Sequence, residues 1–279
     1  MHDVWWVNAF VGPAAAGNST CVVLEEVEGS AAERTEIARS LRAPDTAFLS
    51  RTPSGGWAVR FFSPEEGEMA FCGQALVAAH AVLRAMGVAR REQPFDFSTT
   101  VGVVSTKGDP VDPDLSWFEV ARDKVRVVGK PDPERSLPLS PGAEAVIVDS
   151  GRARLYRPLL PSADLSSIAI GPDDVLRVCS EFQVKGICFY ARSRGPKVAL
   201  RVFTVSLAGH EDAATGGAVL GLSALLPAGD WTIEQGHGRA LNRGLLRLHA
   251  PEGSAAIAVG GAAEIVARGT LVEPLRSMA

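Results

Sequence analysis

The sequence predicts an α+β fold of two halves related by a pseudo-twofold axis. Each half is expected to be a curved, mostly antiparallel sheet wrapped around a central apolar helix. Two observations predict this. An apolar helix preceded by a strand occurs twice, about half a chain apart, and short β-branched strands with turn residues between them flank both copies. With 279 residues, the chain can bury a substantial core without metals or disulfides.

The first part of the chain has the pattern of a sheet with one surface helix. Helical spacing of apolar residues predicts a helix over 31–41, and Pro44 marks its end. The turn residues 53–56 separate two strands and predict a hairpin. β-branched and aromatic residues predict strands at 4–10, 20–24, 46–51 and 57–62.

Two apolar helices are the main feature of the pattern. Residues 74–86 are apolar on every face and stop before Gly87, and such a helix is normally enclosed by other structure. The same order returns later, where a strand at 198–205 leads through Thr215-Gly216-Gly217 into the apolar helix 218–226. The two units therefore predict an internal duplication.

Connections rich in proline and aspartate lie between the two units, at 108–115 and 129–142. We therefore expect an N-terminal half over 1–117, completed by the tail at about 263–279, and a C-terminal half over 118–262. The tail is expected to form short strands separated by glycine turns, at 245–248, 256–259 and 263–267.

Charge and composition exclude several classes of protein. The net charge is −4 and no basic block is present, so nucleic acid is not an expected partner. No apolar run approaches the roughly twenty residues of a membrane span, which predicts a cytoplasmic protein without membrane contact. The cysteines and histidines are dispersed, so we expect no metal site. Acidic stretches such as Glu25-Glu26 and Glu65-Glu66 are expected to be solvated.

The starts of the two apolar helices are candidate binding positions. Backbone N–H groups at a helix start lack internal partners and carry partial positive charge. If the halves pair about a pseudo-twofold axis, Gly73-Gln74 and Gly216-Gly217 face one cleft. The cleft is then suited to a carboxylate or an enolate-like oxygen, which predicts a small acidic substrate.

Five segments, in order along the chain, resemble one known family. They are V-N-A-F with A-A-A-G-N-S-T-C-V-V (7–10, 14–23), P-D-T-A-F-L (44–49), W-A-V-R-F-F-S-P-E-E-G-E with C-G-Q-A (57–68, 72–75), E-D-A-A-T-G-G-A (211–218), and Gln235-Gly236 and Gly238-Arg239 with V-G-G-A (259–262). Through them the sequence resembles the PhzF-like isomerases of phenazine biosynthesis. The resemblance implies a diaminopimelate-epimerase-like architecture, an active site between the halves and a homodimer. It also implies an isomerase that shifts a proton and a double bond without a cofactor.

The resemblance also implies roles for single residues. Asp45 stands at the position of the family's proton-shuttling glutamate, and Asp212 matches its second acidic residue. Gln74 replaces a histidine and Gly217 replaces a serine, which implies a divergent substrate in a specialised branch, such as antibiotic pathways that make alkylated proline units. The implied substrate contacts are Pro44, Cys72, Gly73, Gln74, Gly216 and Gly217.

Other interpretations of these residues remain open. Asp45 is also typical of a turn after proline, Asp212 of a helix cap before Thr215, and Cys72 of a small buried residue. The chain could be a retired enzyme that only binds its ligand. It could also be a racemase or epimerase that uses Asp45 and Cys72 as bases, although Gly216-Gly217 stands where a second cysteine would be expected.

Overall fold

The computed structural model describes residues 2–131, 144–161, 163–236, 238 and 243–272. Its helices are α1 (Ala31–Leu41), α2 (Gly73–Ala85), α3 (Pro172–Glu181) and α4 (Gly216–Leu222). Its strands are β1 (His2–Val11), β2 (Asn18–Glu25), β3 (Asp45–Arg51), β4 (Trp57–Ser63), β5 (Gly67–Met69), β6 (Phe95–Thr99), β7 (Gly102–Gly108), β8 (Leu115–Ala121), β9 (Arg126–Gly129), β10 (Val146–Asp149), β11 (Arg154–Pro158), β12 (Gly186–Arg192), β13 (Lys197–Thr204), β14 (Glu211–Asp212), β15 (Gly229–Gln235), β16 (Gly244–Ala250) and β17 (Ala256–Leu271).

The strands of the N-terminal part form a closed circuit. The chain pairs β1 with β2, β2 with β3, β3 with β4, β4 with β6, β6 with β7 and β7 with β8. Strand β17 closes the circuit, because it pairs with β8 over 256–262 and with β1 over 262–271. The predicted β3–β4 hairpin is present.

Helix α2 lies inside this circuit and contacts strands on all sides, including β1, β2, β3, β8 and β17. Ten of its residues are buried, which explains why the sequence has no polar face there. The helix ends at Ala85, and Gly87, two residues further on, has a left-handed backbone with φ 72°. The apolar pattern thus correctly predicted a helix enclosed by other structure.

The second group of strands runs from β9 through β10, β11, β12, β13, β15 and β16 to β17. Most neighbours are antiparallel, and α4 packs against β16 and β17. The α+β class, with curved mixed sheets around apolar helices, is confirmed. Strand β17 borders both groups, so the boundary at 117/118 stays a prediction. Residues 132–143 of the second connection and 273–279 of the tail lie outside the described residues.

The structure corrects two of the predicted elements. Residues 256–271 form one continuous strand, so Gly260 and Gly261 are not a turn. They permit close packing instead, since a Cβ on Gly260 would lie 2.6 Å from the Trp117 ring and one on Gly261 would lie 2.5 Å from Phe10. Helix α4 begins at Gly216 and ends at Leu222 rather than covering 218–226, because the chain then tightens into i→i−3 hydrogen bonds.

The expectation that acidic stretches are solvated is wrong for Glu25. Its side chain is buried and forms a bidentate ion pair with Arg34 of α1, with Nη2–Oε2 at 2.5 Å. No helix in the described ranges is both long and apolar enough to cross a membrane. The same ranges hold no group of three or more His, Cys, Asp or Glu side chains arranged to hold a metal ion.

Candidate active site

A small, partly open space, here called the inner cavity, lies between the starts of α2 and α4. It has a volume of about 30 Å³. Asp45 enters it from the start of β3, Asp212 from β14, and Cys72, Gly73 and Gln74 from the start of α2. Gly216 and Gly217 line the opposite side. The structure therefore brings both predicted acids and both glycine-rich helix starts to one place.

The two helix starts touch because neither has a side chain at the contact. A Cβ on Gly73 would lie 3.3 Å from the Cα of Gly216 and 2.6 Å from the ring of Phe118. Any side chain at Gly73 would force the helices apart or displace the ring. The glycines thus set the width of the inner cavity.

Asp45 lines the inner cavity and has a pKa close to neutral pH. Its Oδ2 accepts a hydrogen bond from the Cys72 thiol, with Sγ–Oδ2 at 3.3 Å. Burial, followed by the negative charge of Asp212, raises the pKa of Asp45 to about 7. A carboxyl group with that pKa can both accept and return a proton at neutral pH.

Cys72 is a hydrogen-bond donor in this arrangement. Burial and the charge of Asp45 raise the pKa of the Cys72 thiol well above its usual range. The thiol therefore stays protonated, whereas a thiolate is what nucleophilic or basic cysteine chemistry requires. Gly216 and Gly217 supply no second thiol across the cavity.

The carboxylate of Asp212 is held by two side chains. Asn18 Nδ2 lies 2.6 Å from Oδ1, and the Thr215 hydroxyl donates to Oδ2. Burial raises the pKa of Asp212, although the hydrogen bonds from Thr215 and Asn18 oppose that rise. Gln235 fixes Thr215 in turn, because its Nε2 donates to the Thr215 hydroxyl at 2.8 Å. Asp212 is thus a positioned acceptor with one face toward the cavity.

Gln74 belongs to the same network. Its Nε2 donates to the Ser19 carbonyl at 2.9 Å and to the Thr20 hydroxyl at 2.6 Å, so both amide hydrogens are used. Its Oε1 accepts from Asn18 Nδ2 at 2.6 Å. Gln74 therefore orients Asn18, and through Asn18 the Asp212 carboxylate.

Two arginines from the β10–β11 region also line the inner cavity. Arg152 forms an ion pair with Glu66, and Glu66 also accepts from Lys185 at 3.1 Å. The prediction that Glu66 is solvated is therefore wrong. Burial opposes ionisation of Glu66, but Arg152 and Lys185 outweigh it and lower the pKa of Glu66. Arg154 is 5% exposed, and its Nη1 donates to the Arg152 carbonyl at 3.1 Å.

Pro44 lies outside the inner cavity. It lines a wider groove of about 610 Å³, here called the outer groove, together with Asn18, His210 and Asp212. Asp212 borders both spaces. The two spaces therefore adjoin at Asp212.

Sequence reasoning missed Asn18, Thr215 and Arg154 as site residues. Asn18 and Thr215 stand inside segments that carried the family resemblance, and that position was the available signal. Arg154 gave a weaker signal, an arginine within the otherwise largely apolar stretch R-L-Y-R-P.

A family model for phenazine biosynthesis-like proteins matches residues 7–269. The chain belongs to the phenazine biosynthesis-like family. Among curated relatives, the uncharacterized isomerase YddE of Salmonella typhimurium is 26% identical over 256 residues, which cover 84% of this chain and 80% of that protein. Recognition of the family from its five segments is thereby confirmed.

Solved structures agree on the fold of this family member. The structure of a predicted epimerase from Pseudomonas aeruginosa superposes with a TM-score of 0.78 at 19% identity, covering 98% of this chain and 100% of that one. A probable proline racemase from Agrobacterium radiobacter gives a TM-score of 0.66 at 12% identity, covering 100% of this chain and 95% of that one. The epimerase-like architecture is therefore shared beyond the family.

Proposed function

We propose that this protein is a cofactor-independent isomerase that moves a proton, and with it a double bond, in a small unsaturated amino or carboxylic acid. The observation that carries the proposal is the Asp45 carboxyl in the inner cavity, with a pKa raised by burial to about 7. Relatives named as isomerases support the general class of reaction.

Asp45 acts first as a base and then as an acid. Its carboxylate removes a proton from the carbon next to the unsaturated system, and the electron pair of the broken C–H bond moves into that system. The neutral Asp45 carboxyl then returns the proton to the far carbon, so the double bond has shifted and Asp45 is again ionised. No redox partner is needed. The Cys72 thiol, 3.3 Å from Oδ2, stabilises the ionised form.

Asp212 binds the substrate. Its carboxylate is fixed by Asn18 and Thr215 and borders both the inner cavity and the outer groove. An amine or hydroxyl of the substrate can donate to it. The negative charge of Asp212 also helps to keep the pKa of Asp45 high enough for proton return at neutral pH.

The biological setting follows from the same proposal. Gln74 and Gly217 differ from the residues that the family resemblance leads us to expect, which favours a substrate from a specialised branch such as antibiotic biosynthesis. We place the enzyme in the cytoplasm as a homodimer. Light scattering on the purified protein tests the oligomeric state, because a monomer at working concentrations contradicts it.

The decisive experiment is NMR of candidate dienyl amino acids with the protein in D₂O. Wild type is expected to exchange deuterium into the substrate and to move the double bond. Asp45→Asn should abolish both, because an amide cannot accept the proton. Cys72→Ala should retain activity, since its thiol only donates to Asp45. Asp96→Asn, which removes an exposed carboxylate from β6, is the matched control.

Two other outcomes would replace the proposal. Loss of exchange in Cys72→Ala with exchange retained in Asp45→Asn, accompanied by inversion of a chiral substrate without alkene movement, indicates a racemase. Saturable binding without any exchange in wild type indicates a protein that has kept the ligand site and lost the reaction.

A further inference from the structure

The side chain of Arg154 is a buried cation with most of its hydrogen-bonding capacity unused. The guanidinium carries five N–H donors, and among the described residues it forms one hydrogen bond, from Nη1 to the Arg152 carbonyl at 3.1 Å. Its Nε is buried with no hydrogen-bond partner, and no carboxylate of the described residues forms an ion pair with it. A buried, unpaired guanidinium is costly, and an anionic ligand that paired with Arg154 would remove that cost.

Two other buried arginines of this fold have their guanidinium groups paired with a carboxylate. Arg201 forms two hydrogen bonds with the Glu211 carboxylate, at 3.0 and 2.8 Å, and its Nη1 lies 2.8 Å from each of two backbone carbonyls. Arg34 pairs in the same bidentate way with Glu25. Arg154 has burial comparable to theirs but lacks the carboxylate.

Gly217 leaves room for the guanidinium of Arg154. A Cβ at Gly217 would lie 3.1 Å from Nη1 and 3.3 Å from Nη2 of Arg154, tighter than most side-chain contacts. The hydroxyl of Ser150 donates to the Gly217 carbonyl at 2.8 Å and fixes that backbone. The missing side chain at Gly217 therefore leaves the guanidinium lying against the wall of the inner cavity, where both residues line the space.

The other cation in the cavity is already neutralised. Arg152 is paired with Glu66, and its Nη1 lies 3.0 Å from the Met69 sulfur. Asp212 is close enough for the charge of Arg154 to oppose the rise of its pKa, but its carboxylate accepts from Asn18 and Thr215 and forms no ion pair with Arg154. Within the part of the chain that the structure describes, the cavity thus presents a guanidinium without an ion-paired carboxylate.

We propose that Arg154, in the space left by Gly217, binds the carboxylate of the substrate and makes this site specific for acids. A carboxylate accepts two parallel hydrogen bonds from a guanidinium, which amides and esters cannot match. Arg154 is therefore a specificity-determining residue, while Asp45 carries out the proton transfer. The inference rests on the proposed function only for the identity of the ligand as substrate.

The test measures binding, which does not require turnover. Pyrrole-2-carboxylate, a flat unsaturated acid, and pyrrole-2-carboxamide are titrated into wild type, Arg154→Met, Arg154→Lys and Gly217→Ser by calorimetry. Arg154→Met should weaken binding of the acid about thirtyfold or more, Arg154→Lys less, and Gly217→Ser about tenfold. Binding of the carboxamide, already weak in wild type, should not change. Arg177→Met, which removes an exposed arginine from α3, is the matched control.

Near-UV circular dichroism verifies that each variant is folded at the temperature of the titration. Equal affinity for the acid in wild type and folded Arg154→Met overturns the inference. So does equal affinity of wild type for the acid and the carboxamide, or no binding of the acid at all. If Arg154 governs acid binding but no acid exchanges deuterium, the isomerase proposal fails and the carboxylate site stands. If an acid exchanges deuterium but binds equally well to wild type and Arg154→Met, the isomerase proposal stands and the carboxylate site fails.

Discussion

The thiol of Cys72 and the carboxyl of Asp45 form a hydrogen bond at the junction of α2 and β3, with Sγ–Oδ2 at 3.3 Å. This donor favours the ionised carboxylate and partly offsets the burial that raises the pKa of Asp45. Each helps to set the proton affinity of the other, because the charge of Asp45 also raises the pKa of Cys72.

Removing the Cys72 thiol should shift the pH dependence of the reaction. As the base, Asp45 must be ionised, so kcat/KM is expected to rise with pH through about 7 in wild type. Cys72→Ala should move that midpoint upward by roughly half to one pH unit, because one hydrogen bond to the ionised form is lost. Cys72→Ser keeps a donor and should stay near wild type. A downward shift in Cys72→Ala contradicts this account.

Replacing Asp45 with asparagine should stabilise the protein at alkaline pH. The pKa of Asp45 in the folded state is raised from 3.8 to about 7, so its contribution to folding is complete below about pH 4 and is lost as pH rises through about 7. Asparagine does not ionise, and the free energy of unfolding of Asp45→Asn relative to wild type should increase between about pH 4 and about pH 8 by up to roughly 4 kcal/mol. Urea denaturation at both pH values measures it.

The exposed variant Asp96→Asn is the control for that experiment and should show no comparable change. A relative stability of Asp45→Asn that is the same at both pH values would mean that Asp45 is not held protonated by its surroundings.

Gln74→Leu tests whether Gln74 positions Asp212 or binds substrate directly. The variant loses two donor bonds and leaves one Asn18 contact without its acceptor, so we expect a loss of about 1–3 kcal/mol in stability. Because Asp212 is no longer oriented, kcat should fall together with affinity. A higher KM with unchanged kcat and unchanged stability would instead indicate direct substrate contact.

Gly73→Ala should separate the two helix starts. The new Cβ would lie 2.6 Å from the Phe118 ring and 3.3 Å from the Cα of Gly216, and overpacking of this kind costs about 1–3 kcal/mol. Thermal denaturation and the exchange assay should both show a loss. Gly129→Ala is a suitable control, since its Cβ would meet Ile147 at an ordinary 3.6 Å. Equal effects of the two substitutions would argue against a tight contact at Gly73.

Much of the fold was predictable from local pattern. The sequence predicts helix α1 over 31–41 and the structure has it at Ala31–Leu41, because its apolar spacing and its stop signal agree. The enclosed helix α2 followed from its apolar faces. Gly260 and Gly261 were misread as a turn because sequence does not show which large side chain will pack on a glycine.

The candidate site was predictable only where family segments marked it. Asp45 and Asp212 are far apart in sequence, and the resemblance placed them in one site, where the structure also has them. Arg154 could not be found in this way. Four consecutive residues of β11 are buried, so alternation cannot tell which of them points into the cavity.

Strand β17 also constrains the order of events on the ribosome. Strands β1 to β8 of the closed circuit are synthesised first, yet residues 262–271 of β17 are needed to complete it. Leu271 pairs with His2, and Arg268 forms an ion pair with Asp3 at 2.6 Å. Until those residues emerge, β1 and β8 present open edges that invite pairing with other chains. The strand circuit around α2 therefore cannot close until β17 has been synthesised and has paired with both β1 and β8.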